Sequence, residues 1–223
     1  MRRRNFAISP PPLDLPPSGL DLAAARFVAR HAAKPVERGL SALTWLADEK
    51  VVLLAAFAVA AYCHFGSRDP QARHCGDRIA TSAVIAAALP HVIKRFVDRE
   101  RPDRRVVHAP RHGVPRSGKR WDSFPSGHAV HLGALAGGVR RLLPHRFRPV
   151  LWSTILALAS TRLLLLAHYM SDVAAGLLTG LVIDRAVDRS LARIEAGARP
   201  RQMVAQLRQG CGKGRPTLDT GTP

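Results

Sequence analysis

The chain has 223 residues, of which 34 are Lys or Arg and 16 are Asp or Glu, so its formal net charge is +18, although 47% of its residues are hydrophobic. This length allows one domain with a sizeable core, and so basic a chain indicates an anionic partner: nucleic acid, an anionic membrane surface or a phosphorylated substrate. Only 5% of the residues are aromatic, which argues against nucleic acid, because single-strand binders stack bases on aromatic side chains. The three cysteines are odd in number and widely spaced, which argues against a disulfide framework and a zinc site.

The N-terminal part of the chain divides at about residue 20. Residues 1–19 are basic and rich in proline, so we expect irregular structure there and no cleavable signal peptide. From Asp21 to Leu46 apolar and charged residues interleave, and Pro35 divides the stretch. So many charges disfavour a membrane span. They favour a pair of helices lying at a membrane interface.

Five apolar runs follow, at residues 51–65, 79–93, 129–143, 150–167 and 173–187, and basic turns or a long loop separate them. Each is at or just below the roughly 17–25 residues of a membrane-spanning helix. We therefore predict an all-α, polytopic membrane helical bundle of about five spans with an N-terminal interfacial helical region; a soluble helical bundle is the alternative. The membrane-embedded domain is expected over residues 20–190, and a basic, disordered tail over residues 191–223. Small residues in the third and fifth runs favour close helix packing.

The first polar motif runs from Lys94 to Arg101 and Pro102, where the second apolar run ends. An arginine can hold two phosphate oxygens with its planar fork, and a lysine acts as a point charge. The alternative is an ordinary solvated helix end, because the same stretch also holds Arg95, Arg99, Arg104 and Arg105.

The second motif is Pro125-Ser126-Gly127-His128, at the start of the third apolar run. Ser126 is expected to cap the helix, and Gly127 eases entry into it. A helix N-terminus with free amides beside a glycine is an anion site. His128 would then lie where an imidazolium can give a proton to a leaving oxygen.

The third motif is Thr161-Arg162, five further residues, then His168 and Asp172. A charge such as Arg162 at the end of an apolar helix is costly without a purpose. On a helix His168 and Asp172 would share one face, so the carboxylate could accept from one ring nitrogen while the other attacks. The alternative is a capping aspartate beside an interfacial histidine. No H-E-x-x-H accompanies these motifs, so no metal is predicted.

Together, K-x6-R-P, P-S-G-H and [ST]-R-x5-H-x3-D resemble the three-part signature of the type 2 phosphatidic acid phosphatase superfamily, with Thr161 in place of the more frequent serine. That superfamily includes membrane lipid phosphatases, soluble bacterial acid phosphatases and vanadium haloperoxidases. The resemblance implies that His168 is a nucleophile forming a phosphohistidine, that Asp172 orients it and that His128 protonates the leaving oxygen. It implies no metal or cofactor, and it assigns the phosphoryl oxygens to Lys94, Arg101, Arg162, Ser126 and Gly127.

Within the superfamily, this chain is most similar to the small bacterial membrane phosphatases. The acid phosphatases carry a cleavable signal peptide, and the haloperoxidases are soluble proteins much longer than this chain. The expected reaction is hydrolysis of a phosphate or pyrophosphate from a lipid of the phosphatidate, phosphatidylglycerophosphate, polyprenyl or lipid A type. The expected partners are that lipid and the membrane, not nucleic acid. Two alternatives remain: a lipid-linked phosphotransferase using the same site, and a non-enzymatic basic protein that binds membranes or nucleic acid.

Basic turns predict how the bundle lies in a bacterial inner membrane. All three motifs must lie on one face, so the turns with Arg68, Arg73 and Arg78, and with Arg140, Arg141, Arg146 and Arg148, lie on the other. The positive-inside rule makes that second face cytoplasmic and the site outward-facing. The arginine and lysine residues of the long loop near the site oppose this orientation.

Overall fold

The computed structural model describes residues 13–31, 39–40, 49–107 and 119–211. The chain forms two compact units, Met1–Arg185 and Ala186–Pro223, and the three motifs belong to the first. Two short strands, β1 (Leu13–Asp14) and β2 (Val97–Asp98), pair in parallel. The helices are α1 (Gly19–His31), α2 (Glu49–Ala61), α3 (Pro70–Phe96), α4 (Pro102–Arg105), α5 (Gly127–Leu142), α6 (Arg148–Leu164) and α7 (Met170–Cys211).

Helix α1 begins with a capping box formed by Ser18 and Asp21. The Asp21 backbone N–H donates to Ser18 Oγ at 3.1 Å, and the Ser18 backbone N–H donates to Asp21 Oδ2, also at 3.1 Å. Strand β1 lies just before this box and pairs with β2 directly after α3. These two-residue strands are a local exception within the predicted helical fold, and β1 lies in the described part of the segment where irregular structure is expected. The strand pair brings the start of α1 to the end of α3 that carries Lys94.

Helix α3 begins nine residues before the predicted run. Asp69 accepts from the Gln71 backbone N–H at 3.0 Å, and Pro70 occupies the first turn, which is a strong helix start. Arg78 therefore lies inside the helix, only 1% exposed, and not in a basic turn as the sequence predicts. The buried charge of Arg78 is compensated by a bidentate ion pair with Asp184 of α7, in which Nε donates to Oδ1 at 2.7 Å and Nη2 donates to Oδ2.

The core of the first unit is built by close packing of α5 against α6 and α7. Ala129, Leu132 and Ala136 of α5 form one cluster with Ile155, Ala159 and Val173. A Cβ at Gly133 would collide with the Leu177 carbonyl, and one at Gly180 would collide with the Val130 carbonyl. The structure thus confirms the predicted close packing through small residues, which brings the first turns of α5 and α7 together.

The outer faces of the helices carry exposed apolar side chains: Leu54, Phe57, Val84, Ile85, Val92, Leu156, Leu164, Leu178 and Val182. A surface of this kind suits contact with lipid. Among the described residues one helix, Pro70–Phe96, is long and apolar enough to cross a membrane, and Lys50–Gly66 is apolar but shorter. The helical architecture is confirmed, whereas the count of five spans is not.

Two further predictions concern the N-terminal helix pair and the C-terminal tail. Of the predicted N-terminal helix pair, α1 supplies the first member, and most of the second lies outside the described residues. Helix α7 continues to Cys211, past residue 191 where the sequence predicts a disordered tail. Residues 191–211 are rich in Ala, Leu, Arg and Gln, which favour a helix, although Gly197 and Pro200 do not.

Candidate active site

His168 lies in a tight turn between α6 and α7. Helix α6 ends at Leu164, and the backbone N–H groups of Ala167 and His168 both donate to the Arg162 carbonyl, at 3.0 and 3.2 Å. Leu166 has a positive φ of 54°, which lets the chain reverse direction here. The turn therefore fixes His168 close to Arg162, as their shared motif predicts.

The imidazole of His168 contacts a backbone carbonyl rather than Asp172. His168 Nδ1 lies 2.7 Å from the Ser123 carbonyl oxygen, but 3.9 Å from Asp172 Oδ2, which is too long for a hydrogen bond. Because a carbonyl can only accept, Nδ1 carries the proton and Nε2 keeps its lone pair. The prediction that the two residues share a helical face is wrong, since α7 begins only at Met170.

Asp172 does not bond the imidazole of His168, but it bonds the residues that hold this imidazole in place. Its Oδ2 accepts from Ser123 Oγ at 2.5 Å and from the Tyr169 backbone N–H at 2.8 Å, while the side chain is completely buried. Since Asp172 is in the first turn of α7, its bond to Tyr169 resembles the returning half of a capping box. Asp172 thus fixes both Ser123, whose carbonyl contacts the imidazole, and the turn that holds His168.

Three cations surround His168, each from a different element. Lys94 is in the last turn of α3, Arg101 directly precedes α4, and Arg162 is in the last turn of α6. Burial, then the positive charges of these three side chains, hold the pKa of His168 well below its ordinary value. The imidazole is therefore neutral at neutral pH, the form in which it can attack phosphorus.

Arg101 also holds the turn that contains His168. It is 5% exposed, its Nε donates to Asp122 Oδ1 at 2.9 Å, and its Nη1 donates to the Ala167 carbonyl at 3.1 Å. The guanidinium therefore connects the segment before Ser123 to the residue before His168. Its predicted contact with phosphate remains a prediction.

The second motif lies at the start of α5. Ser126 occupies the capping position, but its side chain makes no capping bond, and its buried Oγ has no partner among the described residues. This corrects the expectation that the hydroxyl caps the helix. A buried hydroxyl without a partner is costly, so Ser126 is suited to receive a ligand oxygen. A Cβ at Gly127 would meet only Pro90, at 3.9 Å, and His128 follows, half-buried, in the same helical turn.

Sequence reasoning missed Arg99, Asp21 and Ser123. Arg99 is 3% exposed, so grouping it with solvated arginines is wrong. Its Nη1 donates to Asp172 Oδ1 and its Nη2 to Asp21 Oδ2, the second at 2.8 Å. The capping box is a local signal at Asp21, but no sequence spacing connects it to Arg99.

An apolar pocket of about 250 Å³ adjoins the site. Ala24, Ala25 and Val28 of α1 line one wall, and Leu163 and Leu164 of α6 line another. Asp21, His168 and Tyr169 form its polar end. Within the described part of the chain, no group of three His, Cys, Asp or Glu side chains is arranged to hold a metal ion.

The model of the PAP2 superfamily matches residues 78–193, which include all three motifs and slightly more than half of the chain. The chain belongs to the PAP2 superfamily. This confirms the resemblance inferred from the motifs, and the match extends beyond them into α3 and α7.

Curated relatives of this PAP2 protein carry phosphatase names. It is 36% identical over 106 residues to a lipid A 1-phosphatase of Rhizobium etli, covering 47% of this chain and 45% of that protein. It is 36% identical over 108 residues to a decaprenylphosphoryl-5-phosphoribose phosphatase of Mycobacterium tuberculosis, covering 48% of this chain and 55% of that protein. The chain thus spans about half the length of the curated relatives it matches.

Solved structures share the fold at lower identity. The crystal structure of Aquifex aeolicus LpxE matches with a TM-score of 0.55 and 16% identity, covering 76% of this chain and 95% of that one. A transmembrane PAP2-type phosphatidylglycerolphosphate phosphatase from Bacillus subtilis matches with a TM-score of 0.58 and 18% identity, covering 78% of this chain and 85% of that one. The helical fold of this protein is therefore that of PAP2 membrane phosphatases.

Proposed function

We propose that this PAP2 protein removes a phosphate or pyrophosphate group from a membrane lipid through a phosphohistidine on His168. One observation carries the proposal: Nδ1 of His168 donates to the Ser123 carbonyl at 2.7 Å, so Nε2 is the nucleophilic nitrogen. The cations of Lys94, Arg101 and Arg162 act on the same imidazole. A neutral nucleophile within a cationic cluster suits attack on an anionic phosphoryl group.

The first step forms a bond between His168 Nε2 and phosphorus and breaks the bond from phosphorus to the lipid oxygen. His128 gives its proton to that oxygen, so the lipid leaves as a neutral alcohol, or as a phosphate if the substrate is a pyrophosphate. The three cations, the Ser126 hydroxyl and the Gly127 amide stabilise the charge on the equatorial oxygens.

The second step hydrolyses the phosphohistidine. His128, now neutral, takes a proton from a water molecule whose oxygen attacks phosphorus. The bond to Nε2 breaks, inorganic phosphate leaves and His168 returns to its neutral form. His128 ends the cycle protonated, as it began.

A lipid is the best-supported class of substrate. The pocket beside His168 is apolar along α1 and α6, and large apolar side chains cover the outer helix faces. The curated relatives are named for lipid A and a decaprenyl-linked sugar phosphate, both lipid-borne phosphomonoesters. Among the lipid classes weighed from the sequence, we rank such monoesters above pyrophosphates.

The helix directions support an outward-facing site in a bacterial inner membrane. Helix α3 ends at the site, α5 begins there, and α6 ends there. The opposite ends of these helices adjoin Arg68, Arg73, Arg140, Arg141, Arg146 and Arg148. Even without the buried Arg78, the positive-inside rule favours a cytoplasmic location for this basic end, although the arginine and lysine residues of the loop near the site oppose it.

Phosphate release by detergent-purified protein tests the proposed function. The panel contains lipid A, phosphatidate, phosphatidylglycerophosphate and undecaprenyl pyrophosphate, each with EDTA present. We expect release from a monoester, complete loss in His168→Ala, and unchanged release in the matched control His145→Ala, whose side chain is exposed at the opposite end of the bundle. Release by His168→Ala equal to wild type would refute the histidine mechanism. Folded wild-type protein that releases phosphate from no lipid would refute the substrate class.

A further inference from the structure

Helix α1 carries a buried carboxylate, that of Asp21, which lines the same pocket as His168. Asp21 is only 2% exposed, although α1 presents several exposed side chains. Its Oδ2 accepts from the Ser18 backbone N–H at 3.1 Å and from Ser18 Oγ at 3.0 Å. The capping box therefore sets the direction of the Asp21 carboxylate before any distant partner contacts it.

Asp21 contacts the residue that precedes Asp172. Its Oδ1 accepts from the Ser171 backbone N–H at 3.0 Å, and its Oδ2 accepts from Ser171 Oγ at 2.7 Å. These bonds join α1 to the first turn of α7, 150 residues further along the chain. The first turn of α7 is the turn that carries Asp172.

Arg99 connects Asp21 to the groups around the imidazole. Its Nη2 donates to Asp21 Oδ2 at 2.8 Å, while its Nη1 donates to Ser171 Oγ at 2.8 Å and to Asp172 Oδ1. Its backbone carbonyl accepts from the Ser123 backbone N–H at 3.1 Å. Arg99 thus holds both Ser123, whose carbonyl contacts His168 Nδ1, and Asp172, whose carboxylate contacts Ser123 Oγ.

The charges in this network depend on each other. Arg99 is one cation between two carboxylates, Asp21 and Asp172, and none of the three is more than 3% exposed. The planar guanidinium of Arg99 bonds both carboxylates at once, Asp172 through Nη1 and Asp21 through Nη2, and the two bonds together fix its orientation. Without the Asp21 charge, Nη2 of Arg99 loses its anionic partner in a buried setting, so the guanidinium is no longer fixed from both sides and its position against Asp172 shifts.

We propose that Asp21 is a positioning residue for the phosphoryl-transfer site, acting through Arg99 on Asp172, Ser123 and the imidazole of His168. The N-terminal helix is then part of the active-site architecture and not only an interfacial anchor. The proposal rests on the proposed role of His168 as nucleophile. Asp21 itself touches no reacting atom.

The test measures kinetics of Asp21→Asn on dioctanoyl phosphatidate in detergent micelles. We expect kcat to fall about 10- to 100-fold, because a small misplacement of a nucleophile has effects of this size. KM should stay within about twofold, since the cations that bind the phosphate are not replaced. Inhibition by orthovanadate, which mimics the five-coordinate phosphoryl group, should weaken in parallel with kcat.

Two comparisons separate positioning from a general effect on folding. Asp14→Asn makes the same chemical change at an exposed site in the same N-terminal segment, and it should leave kcat, KM and vanadate inhibition unchanged. Arg99→Lys combined with Asp21→Asn should lower kcat by clearly less than the product of the two single effects, because both act through one guanidinium.

Ser171→Ala keeps the test decisive if Asp21→Asn does not fold. It removes a hydroxyl that bonds both Asp21 and Arg99 but leaves these two charges paired with each other, so kcat should fall at least about fivefold, the effect expected for the loss of a single hydrogen bond. Wild-type kcat in the folded Asp21 or Ser171 variant, a rise in KM that accounts for the loss, or multiplicative effects with Arg99→Lys would overturn the proposal. An active His168→Ala would instead refute the proposed function.

Discussion

Two buried arginine–aspartate pairs lie at opposite ends of α3, and they differ in what surrounds them. Arg78 and Asp184 join α3 to α7, both 1% exposed, and a Cβ at Gly137 of α5 would collide with Asp184. Arg99 bonds Asp172 and Asp21 just beyond the other end, at Phe96, which at 1.5 Å per residue lies about 27 Å from Arg78 along the helix.

The comparison shows that burial of a charged pair does not by itself mark a catalytic group. The Arg78 pair connects regular helices within the bundle, so its effect is on the stability of helix packing. The Arg99 network connects the first turns of α1 and α7 to the segment that carries Ser123, whose carbonyl contacts His168. We expect a buried arginine to affect catalysis when its partners hold the residues that contact His168, as Asp172 holds Ser123.

Removing one partner of the structural pair should give the largest change in stability. Asp184→Leu leaves Arg78 buried without its carboxylate, and we expect the free energy of unfolding to fall by about 3–5 kcal/mol. The double replacement Arg78→Met with Asp184→Leu should recover most of that loss, because no buried charge remains. Denaturant unfolding in detergent micelles measures both. A double variant no more stable than the single one would contradict the assignment.

Lysine replacements at the two arginines should separate the two regions by activity. Lysine keeps the charge but cannot hold two carboxylates with a planar fork. We expect Arg99→Lys to lower kcat about 10- to 100-fold, and Arg78→Lys to leave kcat of the folded protein within about twofold. Equal losses in both variants, normalised to folded protein, would show that the two regions do not differ as described.

The pH profile of kcat/KM tests the electrostatics of the site and should show the smallest effect. Burial and three cations hold the pKa of His168 below its ordinary value, so the acid limb of a Lys94→Gln variant is informative. Removing a cation favours the protonated imidazole, so the pKa rises and the acid limb moves to higher pH. A limb that stays in place, or moves to lower pH, would show that Lys94 does not act on His168.

The sequence could predict the motif residues because their spacing and types are local signals. Lys94, Arg101, Arg162 and His168 are brought together, although each comes from a different element. The hydrogen-bond partner of the imidazole could not be predicted, because it is the backbone carbonyl of Ser123. Every residue has such a carbonyl, so the side-chain types in the sequence do not indicate which one is used.

Long-range contacts account for the other differences between sequence and structure. Arg99 and Asp21 are 78 residues apart, and no periodicity relates them. Arg78 resembled a turn residue because its partner, Asp184, is 106 residues away. A charge looks exposed in sequence whenever the carboxylate that permits its burial comes from another helix.

Trapping the phosphoenzyme shows directly whether His168 becomes phosphorylated during turnover. Wild-type protein is mixed with phosphatidate labelled in its phosphate, quenched with base and analysed for protein-bound label. We expect one labelled histidine, His168, with a bond that is stable to base and broken by acid, and no label in His168→Ala. His145→Ala should be labelled like the wild type. Label on another residue, or turnover by wild-type protein without any trapped phosphohistidine, would contradict the account.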